Sequence, residues 1–500
     1  MIRRRPNSSL SKHRQRAATS TTRRSRPDAT GAKFGSGNHV LADGVENGQL
    51  HQYETSVKKS FDAVVPTLKK VSAYQHEEDF VARAQAIATQ ELGFELPKEI
   101  LEDAWVEQLD MRSLFAWCVF KSYQRYCDDF FSTAPLSNAG LSKSGAEEFQ
   151  SFIQQCGFHT MDVSPCADGR LAHAIRYVLR LPIEAVRRKS YAGAMFDIDN
   201  SIQKWVETEM LRFREGRPNT ADEPTRYLKA VAYHFSSVDP SHEGCAAHGS
   251  DDALAAAEGL DRLKAFQQAI ENSFCCGASI DLLLLGIDTD TDAIKVHIPD
   301  AGGAIDLEKF VDAKDVYQQT QRLSATDAMQ RVEQMIRDAQ ATVGEGMLKL
   351  ISKLIINNLS QIEYVMKYYG SHYEDIGHAE RFIGAGIGFE EVQLRNLTYF
   401  AYLNTVEEST ADFDVGIKIF SKLNVAHGLP VPVVIRFDYH GQVPGSRERA
   451  IEHCQRVSDA AAARYSDLAE KGLLHTLLVI RDCNANGQIE ILGSSLKAAI

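Results

Sequence analysis

The chain has 500 residues, 44% of them hydrophobic and 24% charged, which excludes a short peptide module and gives roughly three domains by length. A formal net charge of −12 argues against a dedicated nucleic-acid binder, and no apolar run reaches the about 18 residues of a membrane-spanning helix. Nine cysteines are too sparse for a disulfide framework, and the basic start is not followed by a signal-peptide core, so an intracellular chain with a few employed thiols is expected.

Residues 1–52 are rich in Arg, Ser, Thr, Asn and Gly and nearly devoid of large apolar residues, the composition of a disordered tail. Charge divides unevenly: the first 33 residues hold ten Lys/Arg and one Asp, whereas the remaining 467 hold 45 basic and 66 acidic residues. The body is acidic and the tail basic, so the tail is expected to bind an acidic partner with salt-sensitive affinity. From residue 53 to about 135 apolar residues recur at helical spacing, as in Val57, Phe61, Val64, Leu68 and Val71, and predict a helical N-terminal domain. The Asp128-Asp129-Phe130-Phe131 run inside it is a poor match to an aspartate-rich metal motif, because Ser132 stands where a further acid is needed.

A Ser- and Gly-rich stretch at 135–144 reads as a linker. Beyond it, short apolar runs at 158–163, 227–235, 280–287 and 294–298 alternate with helical patterns at 171–181, 201–213 and 253–274. That alternation predicts an α/β domain with a largely parallel sheet over 145–378, closed by helices at 323–339 and 346–369. A second α/β series, with strands at 415–419, 431–437 and 473–480 and a helix at 447–468, predicts a third domain over 379–500.

The sharpest chemical signal is Cys166-Ala167-Asp168-Gly169-Arg170, directly after a predicted strand, where the ligands of open α/β sheets collect. A second cluster follows the strand at 227–235: His234, His242, Cys245 and His248. Two thiolates and one imidazole are the three-ligand set of a catalytic zinc, which keeps a fourth position for water and lowers its pKa from 15.7 to about 7. Asp168 then orients that water and Arg170 holds Asp168 through a bidentate pair. Spacing alone leaves the imidazole open, His242 having the compact His-x-x-Cys arrangement and His234 a strand-end position.

The Cys166–Arg170 motif is that of β-class carbonic anhydrases, and the surrounding sequence resembles their carboxysomal shell subclass. Three stretches carry the likeness most clearly: residues 161–171 (MDVSPCADGRL), 190–198 (SYAGAMFDI) and 242–250 (HEGCAAHGS). Weaker similarity extends it over about residues 53–450. The resemblance implies a β-carbonic-anhydrase-like catalytic domain, a helical N-terminal domain and a C-terminal domain that is a degenerate, metal-free copy of the catalytic one. It further implies zinc on Cys166, His234 and Cys245, an orienting dyad of Asp168 and Arg170, and a proton-moving role for His378. Residence in a carboxysome, CO2 supply to Rubisco, contact with Rubisco and shell proteins, and a homodimer or assembly of dimers are implied as well. The alternative is a carboxysomal scaffold with structural zinc. Two further patterns are set aside: Asp288-x-Asp290-x-Asp292 lacks the glycine and closing glutamate of a calcium loop and reads as a polar turn, and Gly384-x-Gly386-x-Gly388 reads as a flexible inter-domain connection.

Overall fold

Five helices open the fold in the computed structural model of the protein: α1 (Val45–Asp62), α2 (Val64–Ser72), α3 (Phe80–Glu91), α4 (Lys98–Asp103) and α5 (Met111–Thr133). The structure describes residues 39–42, 45–104, 108–133, 143–182, 186–274, 278–401, 410–484 and 488–500. Most of the basic tail, residues 1–38, and most of the linker expected at 135–144 lie outside these residues. The tail was expected to run to residue 52, but α1 begins at Val45. The physical reason is burial: Leu50 enters the core, Asn47 donates to the Ser360 carbonyl at 3.0 Å, and His39 meets the Thr320 hydroxyl at 2.6 Å.

The first α/β region runs α6 (Lys143–Gln155), β1 (Thr160–Pro165), β2 (Arg187–Arg188), α7 (Ile198–Arg214), β3 (Thr225–Phe235), α8 (Asp252–Phe274), β4 (Ala278–Asp288), β5 (Ile294–Pro299) and β6 (Ile305–Asp312). Three helices complete it: α9 (Ala313–Thr320), α10 (Ala325–Ala339) and α11 (Glu345–Tyr369). Its sheet has the order β2-β1-β3-β4-β5-β6, the first four strands parallel and the last two antiparallel. The central strands β3 and β4 are buried nearly throughout, as apolar runs packed on both faces must be. Residues 171–181, expected to form an α-helix, instead make a 3₁₀ turn at Gly169–Leu171 and a π turn at Ala174–Val178. The Asp288–Asp292 stretch is a tight turn between β4 and β5, in line with its reading as a polar turn.

The second region runs β7 (Phe382–Gly386), β8 (Thr398–Ala401), α12 (Thr410–Leu423), β9 (Val431–Tyr439), α13 (Ser446–Arg464), α14 (Ser466–Glu470), β10 (Leu474–Asp482) and β11 (Ile489–Ser494). Two expectations fail here. Residues 415–419, read as a strand, lie inside α12, where Phe413, Ile417 and Phe420 are buried at helical spacing. The Gly384–Gly388 run is no loose connection, since Gly384 and Gly386 belong to β7. Gly386 has φ +119, and a Cβ there would sit 2.0 Å from the Arg436 carbonyl oxygen, so glycine lets β7 press against β9.

The second sheet has the order β11-β10-β9-β7-β8. Taken in chain order, its strands repeat the plan of β1 to β5: the first two are parallel neighbours, the third and fourth continue in parallel on the other side, and the fifth is antiparallel. The N-terminal helices cover one face of this second sheet, with Val57, Phe61, Leu68, Phe120 and Tyr123 in one core with Phe382, Val434, Leu477 and Val479. α12 and α13 cover the other face through Ile417, Phe420, Cys454 and Val457. At about 1.5–3 kcal/mol for each fully buried large apolar side chain, the first of these interfaces ties the N-terminal helices to the C-terminal sheet.

Candidate metal centre

β1 has β2 on one side and β3 on the other, so chain order reverses at its carboxyl end, which is where crevices open in sheets of this type. Cys166 follows β1 directly, its N–H donating to the Ala232 carbonyl of β3 at 3.0 Å. His234 is the penultimate residue of β3, and Cys245 ends the loop that leaves that strand. One ligand atom from each of Cys166, His234 and Cys245 lies within 4.8 Å of the others, and all three residues are buried.

The Cys245 loop is pinned from the β4–β5 turn. Asp290 accepts from the Ser236 hydroxyl at 2.7 Å and the Val238 N–H at 2.8 Å, and Asp288 accepts from the Ser237 hydroxyl at 2.7 Å. Past Cys245, the N–H groups of His248 and Ser250 return to its carbonyl oxygen. The thiol is thus fixed at both ends of its loop.

The donor set fits a soft divalent cation. His234 is fully buried, yet neither ring nitrogen has a hydrogen-bond partner, a costly state that coordination would relieve. Its nearest acid is the Asp168 Oδ2, 3.4 Å from Nε2. The neighbouring Cys245 thiol and burial hold the Cys166 thiol proton, raising Cys166 well above the usual thiol range, while Cys166 in turn lowers Cys245. A metal that binds thiolates displaces such a proton.

Beside this group Asp168 and Arg170 form a closed pair. Arg170 Nε donates to Asp168 Oδ1 at 3.0 Å and Nη2 to Oδ2 at 2.8 Å, while the Arg170 backbone N–H donates to Oδ1 at 2.9 Å. The guanidinium is itself braced by the carbonyls of Glu243 at 2.5 Å, Ile376 at 3.1 Å and Gly244 at 3.3 Å. Burial alone would raise the Asp168 carboxyl, but Arg170, His378 and His234 hold it well below the usual carboxylate range. The intervening Gly169 admits the second region: its N–H donates to Glu380 Oε1 at 3.1 Å, and a Cβ would lie 2.4 Å from Glu380 Cγ.

His378 sits at the rim, its Nδ1 2.9 Å from Glu380 Oε1 and its Nε2 3.7 Å from Asp168 Oδ2. Burial pulls its pKa down, but the Glu380 and Asp168 carboxylates raise it to about 9. His242 and His248 lie elsewhere: His242 is exposed against Asp239 at 2.8 Å, and His248 is buried between the Gly193 carbonyl and Glu258.

Between the sulfurs and the second region lies a pocket of about 10 Å³, room for about one water, lined by Ala192, Gly193, Ala246, Ala247, Tyr399, Val415 and Ile419. Tyr399, Val415 and Ile419 went unremarked in the sequence, since nothing local marks a residue that walls a site from another region. Only Glu380, two residues beyond His378, carried a signal, a carboxylate within reach of an imidazole.

The second sheet has its own switch point, at the ends of β7 and β9. Ile387 N–H donates to the Arg436 carbonyl at 2.9 Å, just as Cys166 N–H donates to Ala232, which sets Ile387 opposite Cys166 and Asp438 opposite His234. A guanidinium lies here in place of metal ligands. Arg436 is fully buried, with Nε 2.7 Å from Asp438 Oδ1 and Nη1 2.6 Å from Glu391 Oε1 and 3.0 Å from the Tyr123 hydroxyl of α5.

Comparison with known proteins accounts for almost all of the chain. Residues 148–378 match the family model of the carboxysome shell carbonic anhydrase catalytic domain, 379–496 that of its C-terminal domain and 39–131 that of its N-terminal domain. The chain is 55% identical over 504 residues to a carboxysome shell carbonic anhydrase of Prochlorococcus marinus (strain MIT 9313), covering 98% of both. It is 56% identical over 459 residues to that of Parasynechococcus marenigrum (strain WH8102), covering 92% of this chain and 79% of the relative. To that of Halothiobacillus neapolitanus it is 45% identical over 469 residues, covering 91% and 90%.

Proposed function

The chain belongs to the carboxysome shell carbonic anhydrase family, and from that premise we propose that it is a zinc enzyme whose single metal centre is Cys166, His234 and Cys245. Membership carries the enzyme class and the place: a carbonic anhydrase of the carboxysome. One observation supports the catalytic reading above all. The cluster offers three ligands, with an Arg-clamped carboxylate beside them and a small apolar pocket in front. A structural zinc is normally closed by four protein ligands, so the scaffold alternative is the weaker one.

Zinc held there supplies a Lewis acid and brings the ionisation of a water to near neutrality. The side chains do the rest. Asp168, kept ionised by Arg170, accepts a hydrogen bond from the reacting water and turns its lone pair toward the pocket. Arg170 is a positioning residue, spending one edge on Asp168 and the remaining Nη1 and Nη2 reach on backbone carbonyls. The walls of Ala192, Ala246, Val415 and Ile419 exclude bulk water and suit an apolar CO2 molecule. His378, partly exposed between the site and solvent, carries protons in either direction.

The repeated strand plan supports a β-carbonic-anhydrase-like catalytic domain and its metal-free copy in the second region. In the carboxysome, dehydration of bicarbonate would feed CO2 to Rubisco. Homodimers or assemblies of dimers, and contact of the tail with Rubisco or shell proteins, complete the proposal. The tail is tested by deleting residues 1–38, which carry no part of the described fold. Co-purification with Rubisco or shell is expected to drop, and a drop that high salt fails to reproduce in the full chain would count against an electrostatic contact.

Stopped-flow CO2 hydration on the purified protein, with zinc measured on the same sample, tests the activity. About one zinc per chain with fast hydration is expected; full zinc without hydration under reducing and oxidising conditions would favour the scaffold. Within the active enzyme, Asp168→Asn should keep the metal and lower kcat by about 10²-fold, the usual scale for losing one orienting group. Unchanged kcat would remove Asp168 from the mechanism.

A further inference from the structure

A second cavity of about 310 Å³, far larger than CO2 requires, adjoins the inner pocket and shares His378, Ala246, Val415 and Ile419 with it. Its lining is mostly apolar, through Ala246, Val415, Ile419 and Leu423, with a few charged side chains set into it: Glu243, and Lys418 and Lys422 of α12. Lys418 and Lys422 are one helical turn apart and exposed, and among the described residues neither ammonium has an ion-pair partner. The opposing charges are already engaged. Glu243 Oε2 is 3.8 Å from Arg170 Nη1, and the exposed His242 is paired with Asp239 at 2.8 Å. His378, between Glu380 and Asp168, lies at the inner end.

An uncompensated pair of cations at the mouth of a catalytic pocket is notable on a body that is strongly acidic beyond residue 33. CO2 is uncharged and gains nothing from it. Hydrogencarbonate, the other reactant, is an anion, and this chamber adjoins the site it must reach or leave. A recess whose unpaired charges are of one sign, set between low-dielectric walls, focuses the field and raises the local concentration of the opposite ion.

Resting on the carbonic anhydrase reading, we propose that the chamber is an anion antechamber in which Lys418 and Lys422 steer hydrogencarbonate to and from the site. Neither lysine touches the reacting atoms; both are positioning residues acting through the field. Because the reaction's equilibrium constant is fixed, loss of steering must lower kcat/KM for hydration and dehydration by the same factor. The diagnostic is therefore its dependence on salt.

The test is kcat/KM for bicarbonate dehydration in the full-length zinc-loaded protein, from about 10 mM to about 200 mM of a salt whose anion is a poor metal ligand. In the unaltered protein it should fall about fivefold over that range. Lys418→Gln/Lys422→Gln should start about fivefold lower and vary little with salt, whereas Lys418→Arg/Lys422→Arg should keep the original slope. Zinc content should be equal in all three. A neutral double variant that keeps the original salt dependence overturns the antechamber, as does an unaltered protein with none. Absence of turnover in the unaltered, zinc-loaded protein overturns the enzyme reading instead, and the antechamber with it.

Discussion

Cys245→Ser is expected to lose both the metal and CO2 hydration, the latter by about 10³-fold or more, while the chain remains folded. Serine presents a hard, un-ionised oxygen where the cluster offers a thiolate, leaving two protein ligands. The fold should survive because Cys245 lies in a loop held by Asp288, Asp290 and its own carbonyl, not by its sulfur. Zinc analysis, stopped-flow hydration and far-UV circular dichroism on one preparation decide the matter. A folded variant that still hydrates CO2 at the original rate without zinc would refute the assignment.

Arg436→Met should destabilise the protein by about 3–5 kcal/mol without changing the metal centre, because it takes the arginine from the fully buried Glu391 carboxylate and leaves Asp438 only Arg481, at 3.4 Å. The loss also removes the guanidinium's bond to the Tyr123 hydroxyl of α5, whose Cys127 thiol keeps its own contact with Glu391 Oε1 at 3.2 Å. The Arg436→Met/Glu391→Gln double variant should recover much of the difference, since breaking a buried pair costs far more than replacing it. Urea unfolding followed by tryptophan fluorescence measures both, Trp117 lying on the same helix as Tyr123. An unchanged midpoint in the single variant would mean that Arg436 is paired less tightly than its geometry indicates.

Much of this was legible in the sequence wherever the signal is local. Periodicity gave α7, α8, α10 and α11 to within a few residues, and the apolar runs gave β1, β3, β4, β5, β9 and β10. The Cys166–Arg170 motif stood out because a thiol, an acid and its arginine are packed into five residues, and the structure does pair Asp168 with Arg170 beside the thiol cluster. The choice of imidazole was less legible: His242 has the better spacing, but only the fold shows that it faces solvent while His234 stands buried at the strand end. β7 hid behind its glycines, present for contact with β9 rather than for flexibility. α12 was misread because five apolar-rich residues fit a strand until Phe413 and Phe420 are counted with them. The Arg436 cluster was invisible, being drawn from residues 123, 391, 436 and 438, none suspicious beside its neighbours.

The far wall of the metal pocket comes late in the chain. The three proposed ligands are complete at residue 245, but Glu380, Tyr399, Val415 and Ile419, which brace the Asp168 turn and roof the cavity, follow well over a hundred residues later. At ribosomal speeds of about 5–20 residues per second, synthesis takes roughly nine to thirty-five seconds to pass from the second thiol to the last residue of the roof. Two neighbouring cysteines left bare for that long are vulnerable to oxidation, so the order of synthesis makes early metal capture, or a reducing cytosol, a condition for every active molecule produced.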